Sequence, residues 1–296
     1  MAKSAPNRNL DGRQEAGSLK AMWNRHSHNF LATYLKGGKL HPFYNPQQFF
    51  VRDIILNCLQ RKNPGVNVLL ERRMMSPLFW LYGRCHGWVI SRASFLSDWF
   101  QDLMTFAGER SRERLRYANI KNISLLDVGC GSANFYDGFQ KTGLTYFMEY
   151  TGIDIAEKNI ENCKILYPDA NFRLGDARNI EFSNNSFDVV LASRILEYLS
   201  LDDLEIALSE IMRVARDTVI LNFFYEKDMP EHIVNKVALY HRNGLSRLQL
   251  RALLQKYENV SIRIVDTYAP LRNKKIEYTD PAGNPVSYST WVVEKA

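Results

Sequence analysis

Ser124–Phe139 reads SLLDVGCGSANFYDGF. It opens as a short apolar run, passes through two glycines that flank a cysteine, and then becomes the start of an amphipathic helix. Strand, glycine turn and helix in that order make the first half of a strand–helix–strand unit. In an open parallel sheet such a turn lies at the carboxyl end of its strand, where ligands bind. Gly129 and Gly131 allow the backbone to come close to a ligand, and the first amides of the next helix are free to donate.

The alternation continues downstream. EYTGIDI predicts a second strand and AEKNIENCKILYP a helix ended by Pro168. NFRLGD and SFDVVLAS predict the third and fourth strands, LDDLEIALSEIMRVA a helix, and TVILNFFY a fifth strand. Strands and helices at this spacing imply a parallel sheet covered on both faces. After the helical LSRLQLRALLQKY, the runs 259–270 and 285–296 are strand-like and have no helix between them. They are expected to pair antiparallel, as a hairpin at the sheet edge. The fold class is therefore α/β: a Rossmann-like, seven-stranded, mostly parallel sheet with an antiparallel C-terminal hairpin.

Upstream, residues 11–116 read as mostly helical, with breaks at 36–46 and 61–67. The expected division is a helical N-terminal extension over 1–118, its first 18 residues a flexible lead-in, followed by the α/β domain over 119–296. Phe95, Leu96, Trp99, Phe100, Leu103 and Phe106 share one helical face, which is expected to pack on that domain. Ser76–Leu96 is the most apolar window, but Arg84, His86 and Arg92 interrupt it, which argues against a membrane span and for a buried helical hairpin, with a membrane-surface or partner-binding element as the alternative. The charge is uneven: residues 1–120 hold 18 Lys and Arg against 8 Asp and Glu, and the rest hold 20 against 24, so the net +6 arises in the N-terminal part. No nucleic-acid signature accompanies it. The four cysteines lack paired spacing, and the polar N-terminal stretch reads as a flexible lead-in rather than a signal peptide, so free thiols and a cytoplasmic location are expected. No metal site is expected, because no four ligand-type residues gather at a credible spacing.

Asp127 defines the ligand. A dinucleotide turn follows G-x-G-x-x-G. Here Asn134 takes the last place, and the carboxylate ahead of the turn would repel a pyrophosphate. It suits a ligand with an ammonium and a sulfonium, so the glycines are expected to hold an adenosyl compound without phosphates.

LLDVGCGSANF resembles the nucleotide-binding loop of class I S-adenosylmethionine-dependent methyltransferases, and the resemblance runs over about 119–296. YTGIDIAEKNIENCK resembles the second motif of that family, whose acid binds the ribose hydroxyls; that acid is Asp154 here, with Ile155 beside it. FRLGDARNIEF resembles the third, in which Asp176 would accept from the adenine amino group and the Ala177 amide would lie beside the ring. NNSFDVVLASRILEYL resembles the fourth and puts Ser193 and Arg194 near the reaction centre. The third glycine common in the family's loop is Ala133 here, a departure that permits a slightly different turn.

The resemblance implies S-adenosyl-L-methionine as cofactor, held by Asp127, Gly129, Cys130, Gly131, Asp154, Ile155, Asp176, Ala177, Ser193 and Arg194. Asp127 is expected to act indirectly, and Cys130 through its backbone amide. The implied reaction is methyl transfer to an O or N nucleophile of a small molecule. A hydroxyl acceptor benefits from a base, and His232 and His241, in the segment after the fifth strand, are the candidates. Tyr225 and Tyr240 are candidate wall residues, Glu197 is expected to be structural, and Trp23, Arg25, His26 and His28 are candidates for a lid. The alternatives are a methyltransferase acting on RNA or another anionic macromolecule, and a binding or scaffold protein that keeps the fold. A nicotinamide-dependent oxidoreductase is disfavoured by Asn134 and Asp127.

Overall fold

Val, Ile and Leu in close succession give the chain a set of strands buried on both faces, and these build the sheet around the quoted stretch. The computed structural model describes residues 46–65, 106, 109–110, 113, 120–141, 143–224, 226–237, 240–266, 278–279, 285–286 and 289–296. The strands are β1 (Ile123–Val128), β2 (Met148–Asp154), β3 (Asn171–Leu174), β4 (Phe187–Ser193), β5 (Ala215–Phe223), β6 (Val260–Asp266) and β7 (Ser289–Lys295). They form one seven-stranded sheet in the order β6-β7-β5-β4-β1-β2-β3. β1 to β5 run parallel, and β7 is antiparallel to both β5 and β6.

The C-terminal hairpin is thus present, and its second strand lies inside the first. The reason is burial. β7 carries the continuous run Ser-Thr-Trp-Val-Val, buried throughout, whereas β6 alternates exposed and half-buried positions, as an edge strand does.

Helices cover both faces. One layer holds α1 (Pro46–Lys62), α2 (Asn134–Lys141) and α3 (Glu157–Leu166); the other holds α4 (Leu201–Val214) and α5 (Arg247–Leu254). Neighbouring strand residues point to opposite layers: Leu125 belongs to the core that holds Val51, Ile55 and Phe139, and Leu126 to the core that holds Leu204, Leu208 and Ile211. Ser200 caps α4 by accepting from the Asp203 amide at 3.1 Å, and Ser246 caps α5 by accepting from the Gln249 amide at 3.2 Å.

α1 lies on the N-terminal side of the expected boundary at 118, yet Val51, Ile54, Ile55, Leu56 and Leu59 belong to the core of the sheet domain. This part of the N-terminal region is a wall of that domain. Asn63, just past the helix, clips it to the sheet: its Nδ2 donates to Leu59 O (2.9 Å) and Lys121 O (3.0 Å), and its Oδ1 accepts from Lys121 N (2.6 Å). Phe106, expected to pack on the domain, is 59% exposed instead, with the Arg110 guanidinium 5.5 Å from its ring centroid. The lead-in over 1–18, the apolar window 76–96, the candidate lid residues Trp23 to His28, Tyr225 and the remainder of the 95–106 face lie outside the described residues. No helix among the described residues is long and apolar enough to cross a membrane.

Candidate functional site

The strand order reverses direction between β1 and β4, which is where an open parallel sheet leaves a crevice at its carboxyl edge. The glycine turn after β1 lines it. The Gly129 and Cys130 amides both donate to Ile153 O, at 2.8 and 2.9 Å, and so pin the turn to β2. Gly129 (φ +71°) and Gly131 (φ +54°) are left-handed. Ala133 is left-handed too, at φ +58°. An L-residue held there costs about 1–2 kcal/mol.

The two glycines differ in what surrounds them. A Cβ on Gly129 would meet Ile195 Cγ2 at 2.2 Å, whereas a Cβ on Gly131 would meet nothing within 4 Å. Gly129 is required by packing, and Gly131 opens toward the crevice.

Three acids line the crevice. Asp154, at the end of β2, is buried; its Oδ2 accepts from the Gly131 amide (2.9 Å), and its Oδ1 accepts from the Ala156 amide (2.8 Å) and Asn159 Nδ2 (3.1 Å). Burial raises its pKa, and these donors pull it back. Each carboxylate oxygen has two lone-pair sites, so Oδ2 keeps one for a ligand hydroxyl. Asp127 is 1% exposed and accepts from the Tyr150 hydroxyl at 2.7 Å. Burial pushes its carboxyl up to about 7, with the Asp154 charge adding to the rise and the Tyr150 hydroxyl opposing it.

The sign of the stability effect follows. The folded-state pKa of Asp127 lies above its unfolded value of about 3.9, so folding takes up a proton between the two. Its contribution is complete below about pH 4 and is lost as pH rises to about 7, by up to about 4 kcal/mol. Asp127→Asn keeps an acceptor for Tyr150. Thermal melts should therefore show the variant more stable than the wild type by a margin that widens from about pH 5 to about pH 8; a margin independent of pH would contradict this.

Asp176, after β3, is held by Arg178. Nε donates to both carboxylate oxygens (3.0 and 3.1 Å), Nη2 donates to Oδ2 (2.6 Å), and the Arg178 amide donates to Oδ1 (2.9 Å). The same guanidinium reaches Asp203 on α4 at 3.2 Å. Although burial opposes it, the arginine holds the Asp176 carboxyl below its usual range. Sequence reasoning missed Arg178; the D-x-R spacing in GDARN was the local signal.

A cavity of ≈350 Å³ connects these elements, and all ten residues expected to hold a cofactor line it: Asp127, Gly129, Cys130, Gly131, Asp154, Ile155, Asp176, Ala177, Ser193 and Arg194. Residues not anticipated complete the wall, among them Phe135, Asn159, Arg178, Ile195, Tyr198, Leu199 and Phe224. Tyr198 packs on Tyr240, centroids 6.0 Å apart. Glu197 is fully buried; its carboxylate accepts from the Phe224 amide, and its carbonyl accepts from the Asn243 amide at 2.9 Å. It joins the turn after β4 to the chain leaving β5.

Neither candidate base lines the cavity. His232 Nδ1 accepts from the Ser246 amide at 2.9 Å, so the lone pair a base needs is engaged at the start of α5, and burial lowers its pKa. His241 sits half-buried in a two-residue ladder paired with Lys236.

Residues 126–223 match the family model described as a methyltransferase domain. Among curated proteins the chain is similar to the phthiotriol/phenolphthiotriol dimycocerosates methyltransferases of Mycobacterium tuberculosis and Mycobacterium bovis, each 29% identical over 143 residues, 47% of this chain and 48% of the relative. The chain spans about half the length of the curated relatives it matches. Among solved structures, the magnesium protoporphyrin IX methyltransferase of Synechocystis with bound S-adenosylmethionine is 13% identical at a TM-score of 0.42, covering 73% of this chain and 94% of that one. A methyltransferase from Methanosarcina mazei is 16% identical at a TM-score of 0.45, covering 61% and 96%.

Proposed function

We propose that this chain, which carries a class I Rossmann-like methyltransferase domain, transfers a methyl group from S-adenosylmethionine to an oxygen or nitrogen nucleophile of a small molecule. The observation that supports this reading is the convergence of four successive strand ends on a single cavity, lined by the residues that the four motifs single out. The residues fit the cofactor. Asp127 and Asp154 stand at the glycine turn, Asp176 lines the same cavity, and the open side of Gly131 leaves room for an adenosyl group.

In this reading Asp154 accepts from the ribose hydroxyls through its remaining lone pair. Asp176 and the Ala177 amide meet the adenine, with Arg178 sharing the Asp176 carboxylate. Asp127 faces the amino-acid part, where a positive charge favours its ionised form. The bound cofactor supplies an already activated methyl carbon. The protein's share is alignment of the acceptor and exclusion of water. Ser193, Arg194, Tyr198 and Phe224 form the side of the cavity available to the acceptor.

Calorimetric titration of the purified chain with S-adenosylmethionine, S-adenosylhomocysteine and NAD tests the cofactor. The first two should bind and NAD should not. Asp154→Ala should weaken both by tenfold or more, about 1.4 kcal/mol, with a melting curve run alongside because the variant also frees the Gly131 and Ala156 amides. Binding of NAD, or of none of the three, would overturn the reading.

A further inference from the structure

The cavity has two chemically distinct halves. Asp127 and Asp154 belong to β1 and β2 and Asp176 follows β3, on one side of the crevice, where Arg178 is committed to the Asp176 carboxylate. On the other side, Arg194 follows β4 and Phe224 follows β5, and both line the cavity. Arg194 is left-handed at φ +58°, a conformation that a bulky L-residue adopts only when its surroundings impose it. Here they do. The Arg194 amide donates to Asn222 O at 2.8 Å, and buried Asn222 is itself held by the Thr290 hydroxyl at 2.8 Å. The guanidinium carbon lies 4.1 Å from the centroid of the Phe224 ring. The strained backbone thus positions a permanent cation, backed by an aromatic plate, on the acceptor side.

We infer that Arg194 binds the methyl acceptor as an oxyanion, so that the acceptor is an acidic hydroxyl compound: a phenol, an enol or a carboxylic acid. The inference rests on the methyltransferase reading above. It also accounts for a cavity lined by no histidine among the described residues. An arginine cannot accept a proton, but a fixed charge in a partly dry site stabilises an oxyanion strongly. The hydroxyl proton passes to solvent as the acceptor binds. The oxygen's electron pair then forms the O–C bond while the C–S pair moves to the sulfur of the sulfonium donor. Both charges cancel, and the neutral ether or ester loses its attraction to Arg194, which favours release.

The test uses 4-nitrophenol as probe, with the full chain saturated by S-adenosylhomocysteine, at a pH below the probe's own pKa. Binding to the wild type should bring up the phenolate absorbance. Arg194→Ala, likewise saturated with S-adenosylhomocysteine, should lower the bound phenolate fraction by roughly tenfold, a shift of about one pKa unit. Arg194→Lys, which keeps a point charge, should restore part of the signal and guards against a merely misfolded alanine variant. Three outcomes overturn the inference. They are a wild type that binds no phenolate, an Arg194→Ala protein that keeps the band, and a tenfold loss of S-adenosylhomocysteine affinity in that variant, which would make Arg194 a cofactor ligand. A wild type that does not bind S-adenosylhomocysteine at all refutes the cofactor reading itself, and calorimetry separates that result from the others.

Discussion

Gly129→Ala should destabilise the folded chain by about 2–5 kcal/mol, through a left-handed L-residue at about 1–2 kcal/mol and overpacking at about 1–3 kcal/mol. The clash is with Ile195 Cγ2 at 2.2 Å, with Ile195 Cβ behind it at 3.4 Å, so the obstacle is a branched, inflexible part of the side chain. The backbone cannot retreat, because the Gly129 and Cys130 amides are bonded to Ile153 O. Gly131→Ala pays only the conformational term, since nothing stands within 4 Å of its Cβ, and should lower Tm by a few degrees at most. Its effect should fall on the ligand, through a methyl group at the wall of the cavity. Melting curves and calorimetry on the two variants should therefore separate: Gly129→Ala loses the fold first, Gly131→Ala loses adenosyl affinity first. Adding Ile195→Ala to Gly129→Ala should recover the overpacking share. If the two glycine variants melt alike, the packing argument is wrong.

Glu226→Ala is expected to cost about 3–5 kcal/mol, the range for removing one partner of a buried ion pair. Glu226 is fully buried just beyond β5, where it accepts from Arg247 on α5 and from the Ser289 hydroxyl at the start of β7. Arg247 also reaches Asp266 at the end of β6, at 2.8 Å. One carboxylate thus ties α5 and β7 to the exit of β5, and through Arg247 it reaches β6. Its removal leaves a guanidinium only partly neutralised and a buried hydroxyl without its acceptor. The double variant Glu226→Leu with Arg247→Met removes both charges together and should regain much of the loss. Chemical denaturation of the single and double variants measures this, and a single variant within 1 kcal/mol of wild type would show that the network contributes little.

Much of the site could be read from SLLDVGCGSANFYDGF and its successors because the signals are local. A short apolar run, a glycine turn and a helix start lie within sixteen residues, and the acids at 154 and 176 sit at the end of β2 and just beyond β3. Hence the strands, their parallel direction and ten of the residues lining the cavity were legible. The pairing of Asp176 with Arg178 was half legible: the spacing was visible, but the reach to Asp203 on α4 was not. The histidines illustrate the opposite limit. A histidine in a specificity segment suggests a base, yet whether its lone pair is free depends on Ser246, fourteen residues away, and only the fold brings the two together.

The sequence by itself therefore determined the α/β class, the glycine turn at the carboxyl end of β1 and the acids around it, because each depends on hydrophobic pattern or turn chemistry within a few residues. Tertiary structure alone decided the rest. It placed β7 inside β6, drew α1 into the core, held Ala133 and Arg194 left-handed, and divided the cavity into an acidic half and a cationic one. Those outcomes arise from contacts between residues far apart in the chain, such as Arg194 with Asn222 and Asn222 with Thr290. Strain and charge pairing belong to the assembled fold, and no local pattern encodes them.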